Sequence, residues 1–262
     1  MGPAEAIAIL GVGAAAGAVN AVVGSGSLIT FPTLLAFGYP PVVANVSNNV
    51  GLVSGNISGA VGYRRELAGQ RSRLQRLAVF AVVGSVAGAA ALLSLPSSSF
   101  KLIVPVLILI ACVLVLAQPW LSRRITARRQ RDTAAAEHPD QDGRERTSPL
   151  LAAGMAGSAA YGGYFGAAQG VLVIGLLGTF LDEPLQRVNA AKNVLVAIVN
   201  GSAAIVYIIF AHVAWLVVVL IAVGSTLGGL LGARYGRRLP PLALRVFVVL
   251  IGVISAVKLL FF

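Results

Sequence analysis

The residues that could do chemistry in this chain are amides, small hydroxyls and one amine, and they come in two sets. Asn45, Asn49 and Asn56 are spaced by four and seven residues, so in a helix they share one face. Asn189, Asn193 and Asn200 repeat that spacing 144 positions later. Between the first two of each set lie Asn48 in the first copy and Lys192 in the second. Upstream stand Asn20 and the Gly24-Ser25-Gly26-Ser27 turn in one half, and Gln169 with Gly170 in the other. Such groups suit hydrogen bonding to an anion. Backbone N–H groups at a glycine turn and at the start of a following helix attract negative charge through unsatisfied donors and the helix dipole. A facing pair of asparagine stripes has two readings, the lining of a polar path or hydrogen bonds between neighbouring helices. Lys192 likewise either snorkels to a surface or places a positive charge beside the turns.

The spacing belongs to a wider pattern. Laid on itself at the same offset, the chain pairs Gly26 with Gly170, Leu28 with Leu172, Ser58 with Ser202, and Tyr63 with Tyr207. Gly84 then meets Gly228, Gly88 meets Gly232, Leu95-Pro96 meets Leu239-Pro240, and Lys101 meets Arg245. One unit is written twice.

Its surroundings are apolar: 57% of the residues are hydrophobic and 11% charged, with a mean hydropathy of +0.87. That composition, with apolar runs near or above 18 residues, identifies an all-α polytopic membrane protein. No Lys or Arg precedes the first apolar run, so a cleaved signal peptide is not expected and the amino terminus reads as mature. The net charge of +11 comes from arginines clustered beside apolar segments, as the positive-inside rule requires, and nucleic-acid binding is not expected. Cys112 is the single cysteine, which excludes an intramolecular disulfide and a cysteine metal cluster. No metal site and no cofactor are expected.

Each half reads as five segments: 4–23, 27–38, 42–62, 75–94 and 100–119, then 150–167, 171–181, 188–208, 213–233 and 243–261. The second of each five is too short to span a hydrocarbon core of about 30 Å. Arg64, Arg65, Arg71, Arg73 and Arg76 follow the third segment of half one, whereas the corresponding loop at 211–214 has no Lys or Arg. The next loops reverse the bias, with none at 94–100 and Arg234, Arg237, Arg238 and Arg245 in the mate. Equivalent loops on opposite faces imply inverted-topology repeats with an odd number of crossings. The first two segments of each half therefore form a re-entrant or broken-helix hairpin, followed by three transmembrane helices. The expected layout is a first repeat at 1–121, a cytoplasmic basic linker at 122–149 and a second repeat at 150–262, with both termini outside. The linker reads as a solvated tether, or as a short interfacial helix at its start. Gly51, Gly55 and Gly59, Gly84 and Gly88, and Gly224, Gly228, Gly232 and Gly236 form small-residue stripes that bring helix backbones together.

Polar groups at membrane depth are costly and mark function. The substrate-binding candidates are Asn20, Gly24, Ser25, Gly26, Ser27, Asn45, Asn48, Asn49, Gln169, Gly170, Asn189, Lys192 and Asn193. No Asp or Glu falls inside the predicted core, which disfavours a carboxylate proton relay or sodium cage. No catalytic group is expected. There is no HExxH motif, His138 lies in the linker, and Ser25 lacks a nucleophile-elbow context because Val23 stands where glycine is required.

The run from Gly17 through Ala18, Val19, Asn20 and Gly24-Ser25-Gly26-Ser27 to Pro32, then Gly38, Pro40, Ala44 and Tyr63-Arg64-Arg65, resembles the sulfite exporter TauE/SafE family of anion permeases. The resemblance covers nearly the whole chain outside the linker. In half two the glycine run has become Ala168-Gln169-Gly170-Val171, and Leu176 stands in the place of Pro32. The resemblance implies transport of sulfite, a sulfonate such as sulfoacetate or a related small organic anion, in the bacterial plasma membrane. The expected mechanism is alternating access around a midplane site between two hairpins. The alternative reading is a non-transporting scaffold or assembly subunit. The expected partners are a small anion and the bilayer; nothing in the sequence indicates a homo-oligomer.

Overall fold

A computed structural model describes residues 1–135, 148–235 and 241–261. The described residues form ten α-helices and one short 3-10 turn, with no strand among them. In half one these are α1 (Pro3–Val22), α2 (Ser27–Ala36), α3 (Pro41–Gly62), the 3-10 turn Arg64–Leu67, α4 (Arg71–Ser94) and α5 (Ser97–Ala135). Half two holds α6 (Pro149–Tyr164), α7 (Gln169–Phe180), α8 (Leu185–Phe210), α9 (Trp215–Tyr235) and α10 (Pro241–Phe261). Proline opens α1, α3 and α6, where its missing N–H costs no helical bond and its fixed φ suits the first turn.

Among the described residues five helical stretches are long and apolar enough to cross a membrane: α1, α4, residues Leu102–Arg124 of α5, α8 and α9. α3 has the length, at 22 residues, but its asparagines and serines dilute its hydropathy. α2 and α7, at 10 and 12 residues, are half-crossings in length, as their sequences predict. α1 and α2 form a hairpin whose open ends adjoin, since the carboxylate of Glu5 lies beside Tyr39 and, after burial, raises its phenol pKa. The basic end of α3 begins its next helix earlier than expected, so Arg71, Arg73 and Arg76 occupy the first turns of α4. α5 likewise runs past the predicted boundary at 121 into the basic stretch as far as Ala135. Residues 136–147 of the linker, and Gly236, Arg237 and Arg238, lie outside the described residues.

Helix contacts pair off between the halves. α1 packs on α9 as α6 packs on α4, and α3 on α9 as α8 on α4. α2 meets α10 as α7 meets α5, while α3 meets α8 and α5 meets α10. Each hairpin's long arm is thus held by the other half. The small residues permit this: a Cβ on Gly84 or Gly88 would strike the carbonyls of Ala156 or Ala160 in α6, and one on Gly224 or Gly228 those of Leu10 or Ala14 in α1. α3 and α8 run antiparallel, because Tyr63 near the end of α3 clusters with Ala190 near the start of α8, and Asn49 bonds to Asn200.

A polar brace joins the halves at the end of α3. Glu183, between α7 and α8, pairs with Arg73 at 3.1 Å and Arg187 at 2.6 Å. Arg187 reaches the carbonyl of Ala68 at 2.9 Å, and Gln70 donates to the carbonyl of Arg187 at 3.3 Å. Partial burial alone would raise the Glu183 pKa; bonds from Arg187 and Arg73 overcome it and hold the carboxyl below its usual value.

Candidate functional site

The two hairpin tips touch. Gly24, at φ +86°, ends the α1 arm, and its carbonyl accepts the N–H of Gly170 at 3.2 Å. A Cβ on Gly24 would lie 2.6 Å from the Cα of Gly170, so glycine is required there on two counts, backbone conformation and approach. Ala168 occupies the equivalent place in the second tip and is itself left-handed at φ +57°. The second tip is fixed by Tyr161, whose hydroxyl donates to the carbonyl of Ala167 at 2.6 Å, and its α6 arm by Tyr207, whose hydroxyl donates to the carbonyl of Gly163.

The asparagine helices hold these tips across the halves. Asn189 and Asn193 of α8 both donate to the carbonyl of Ala21 at 3.2 Å. Lys192 donates to the carbonyls of Asn20 at 2.8 Å and Ala21 at 3.3 Å. All four carbonyl contacts fall on the last turn of α1, where the helix dipole favours a cation. Lys192 is 1% exposed, so it does not snorkel. Its alkyl chain passes Gly170, from whose Cβ position its Cδ stands 3.1 Å away. Asn45 mirrors Asn189 by donating to the carbonyl of Tyr164, the last residue of α6, at 3.0 Å. Asn48, in the place of Lys192, accepts instead from Thr30 of α2. Asn20 donates to Asn56 and accepts the N–H of Gly26 at 3.4 Å. Asn49 donates to Asn200 at 3.3 Å. The NH₂ groups of Asn45, Asn49, Asn189 and Asn193 bond other helices, as the packing reading expects, while the Asn56 NH₂ and the side-chain oxygens of Asn45, Asn49 and Asn189 find no partner among the described residues.

The backbone donors expected at the second tip are already engaged, Gln169 N–H to Gly166 at 3.3 Å and Gly170 N–H to Gly24. At the second tip, side chains are what remain. Ser25 and Gln169, mates in the duplication and each 1% exposed, have no hydrogen-bond partner for their polar side-chain atoms among the described residues. Ser27 is only half-buried at the start of α2. Among the described residues no carboxylate pairs with Lys192.

Beneath the first tip, toward the brace, a cavity of about 230 Å³ is lined by Val22, Val23, Tyr63, Gln118, Asn189 and Arg245, among others. Sequence reasoning passed over Gln118, the lone amide late in the apolar run of α5, and used Arg245 only as a topology marker. The clue to Arg245 is its position one turn inside α10. A larger groove of about 540 Å³, bounded by Leu114, Leu172, Leu176 and Phe180, is almost wholly apolar and offers no such chemistry.

The family model for the sulfite exporter TauE/SafE proteins matches residues 9–259. The chain belongs to the sulfite exporter TauE/SafE family. It is accordingly a multi-pass membrane protein of a transporter family. Among curated relatives it is similar to the probable membrane transporter protein YfcA of Escherichia coli (strain K12), 25% identical over 246 residues, covering 94% of this chain and 86% of that one. A probable membrane transporter protein of Haemophilus influenzae is 25% identical over 252 residues, 95% and 92% of the two chains. The probable membrane transporter protein ORF9 of Sinorhizobium sp is 24% identical over 249 residues, 94% and 88%. No solved structure matches the chain significantly. The family match spans both hairpins, so the touching tips and the helices that hold them lie within the part of the chain that resembles transporters.

Proposed function

We propose that this family member is a permease for a small oxyanion, sulfite, a sulfonate such as sulfoacetate or a related organic anion, which it moves by alternating access past the two touching tips. The observation that carries the reading is the pair Ser25 and Gln169. A fully buried polar group without a partner costs about 1–3 kcal/mol, and here the same cost is met at both tips, at equivalent places in the duplication. Groups left unsatisfied at both tips are suited to a polar substrate that arrives and leaves again, and Lys192, whose alkyl chain passes Gly170, is the nearby basic group. The halves act as inverted repeats in the bacterial plasma membrane, with the termini outside and the linker cytoplasmic; the antiparallel course of α3 and α8 and the arginine-rich end of α3 support that arrangement.

The test is counterflow of labelled sulfite and sulfoacetate in proteoliposomes, with Ser25→Ala and Gln169→Met in parallel. Removing an orphaned polar group relieves its desolvation cost, so both variants are expected to unfold no more readily than the parent while losing exchange. Full exchange by both folded variants would refute the tip site. Absence of exchange of any small anion by the parent would withdraw the permease reading.

A further inference from the structure

We infer that Arg245 and Gln118 form a second oxyanion-binding station, in the cavity between the first hairpin tip and the face from which the linker departs. The inference rests on the permease reading for its substrate class but on different residues for its evidence.

Arg245 sits one turn into α10, and its side chain borders the cavity rather than the surface alone. Its Nε donates to the Oε1 of Gln118 at 3.3 Å, and the Nε2 of Gln118 donates to the carbonyl of Val23 at 3.3 Å. Gln118 is 4% exposed, so this amide is a buried relay from the guanidinium to the residue next to Gly24. Fixing Nε orients the planar fork, and a fixed guanidinium binds carboxylate, sulfonate or phosphate oxygens two at a time. Asn189 also lines the cavity, but its NH₂ is held by Ala21 and its Oδ1 is an acceptor, so the anion's donors come from the guanidinium. Among the described residues no Asp or Glu lines the cavity. Its volume of about 230 Å³ falls below the roughly 300–1,000 Å³ of drug-sized pockets, which fits a small anion. The duplication shows that this is a one-sided feature. Lys101 is the mate of Arg245 in sequence, but the mate of Gln118 is the final residue, Phe262, so the relay has no counterpart. A station on one side of the tips gives the anion a place to lose water before it reaches Ser25 and Gln169.

A reporter cysteine tests this directly. Gln186 is exposed at the cavity mouth, and the native Cys112 is buried and can be replaced by serine. In purified full-length Cys112→Ser/Gln186→Cys protein, the rate of modification by a charged maleimide is measured against increasing sulfoacetate, with chloride as the control anion. Sulfoacetate is expected to slow modification saturably and chloride to leave it unchanged. Adding Arg245→Gln should raise the half-protecting concentration by about tenfold or more, as loss of a charged hydrogen-bond partner implies. Arg245→Lys, which keeps the charge and loses the fork, should fall between and guards against a folding defect in the neutral variant. Protection equally strong without the guanidinium, or no protection while the parent protein exchanges sulfoacetate, overturns the station and spares the permease. Arginine-dependent protection in a protein that exchanges no anion upholds the station and removes the permease reading instead.

Discussion

The contact between the tips makes an unusually specific prediction for Gly24→Ala, because the chain carries its own control. Gly24 and Gly38 have nearly the same left-handed backbone, φ +86° and +85°. Alanine in that region costs about 1–2 kcal/mol at either position. The neighbours differ. A Cβ at Gly38 meets nothing within 4 Å, whereas one at Gly24 lies 2.6 Å from Gly170 Cα and 2.9 Å from its carbonyl carbon, both backbone atoms that no rotamer can move. Ordinary contact begins at 3.4 Å, so the tips must part by several tenths of an ångström or more. That stretches the Gly170 N–H bond to Gly24, worth about 0.5–1.5 kcal/mol, and repacks the tip at about 1–3 kcal/mol. Gly38→Ala is therefore expected to lose about 1–2 kcal/mol and to keep its exchange activity, while Gly24→Ala loses about 2.5–6.5 kcal/mol and exchanges little. Unfolding in detergent and anion counterflow, measured on both variants, check this. Equal stability and equal exchange in the two would show that the tips do not depend on their contact.

Lys192→Met keeps the alkyl bulk beside Gly170 but leaves the carbonyl of Asn20 without its 2.8 Å partner, while Asn189 and Asn193 still serve Ala21. The expected loss is about 1–3 kcal/mol together with most of the exchange, read by the same unfolding and counterflow assays. The brace predicts a pH dependence. Because its arginines depress the Glu183 pKa below the unfolded value, the carboxylate adds stability that is complete above the ordinary range near pH 4.3 and is lost as pH falls through the folded value. The partners are a fifth to a third exposed, so the effect is small, about 1 kcal/mol or less. Glu183→Gln should flatten this part of the acid limb of unfolding midpoint against pH, with little change at neutral pH beyond that amount.

How much of this was legible beforehand depended on whether a feature repeats. The ten segments, the short second member of each five, the tip at Gly24 and the asparagine stripes all recur at one offset, and the helices fall within a few residues of the expected bounds except at the basic ends. Those ends misled because arginine is a good helix former, so α4 and α5 continue through residues that a hydropathy pattern assigns to loops. The role of Lys192 was unreadable for another reason. Its partners are carbonyls, which every residue carries, and only the fold shows that α8 lies against the end of α1. Arg245 and Gln118 were missed because their pairing joins positions 127 apart with no equivalent in the other half.

The departures from the repeat make the two sides of the tips differ among the described residues. Near the start of α5, about 27 Å along that helix from Gln118 at 1.5 Å per residue, Phe31, Phe100, Tyr164 and Phe165 close together. Phe165 lies edge-on to Phe31 at 5.3 Å and to Phe100 at 6.3 Å, and Phe100 reaches Tyr164 at 5.9 Å. Their mates in the duplication are Gly175, Leu244, Asn20 and Ala21, none of them aromatic. Aromatic side chains thus cluster on one side of the tips, while the arginine relay borders a cavity on the other. A strictly symmetrical duplication would have built two cavities or two plugs. Divergence at the aromatic positions and at Gln118 gives the two sides different chemistry around a shared pair of tips.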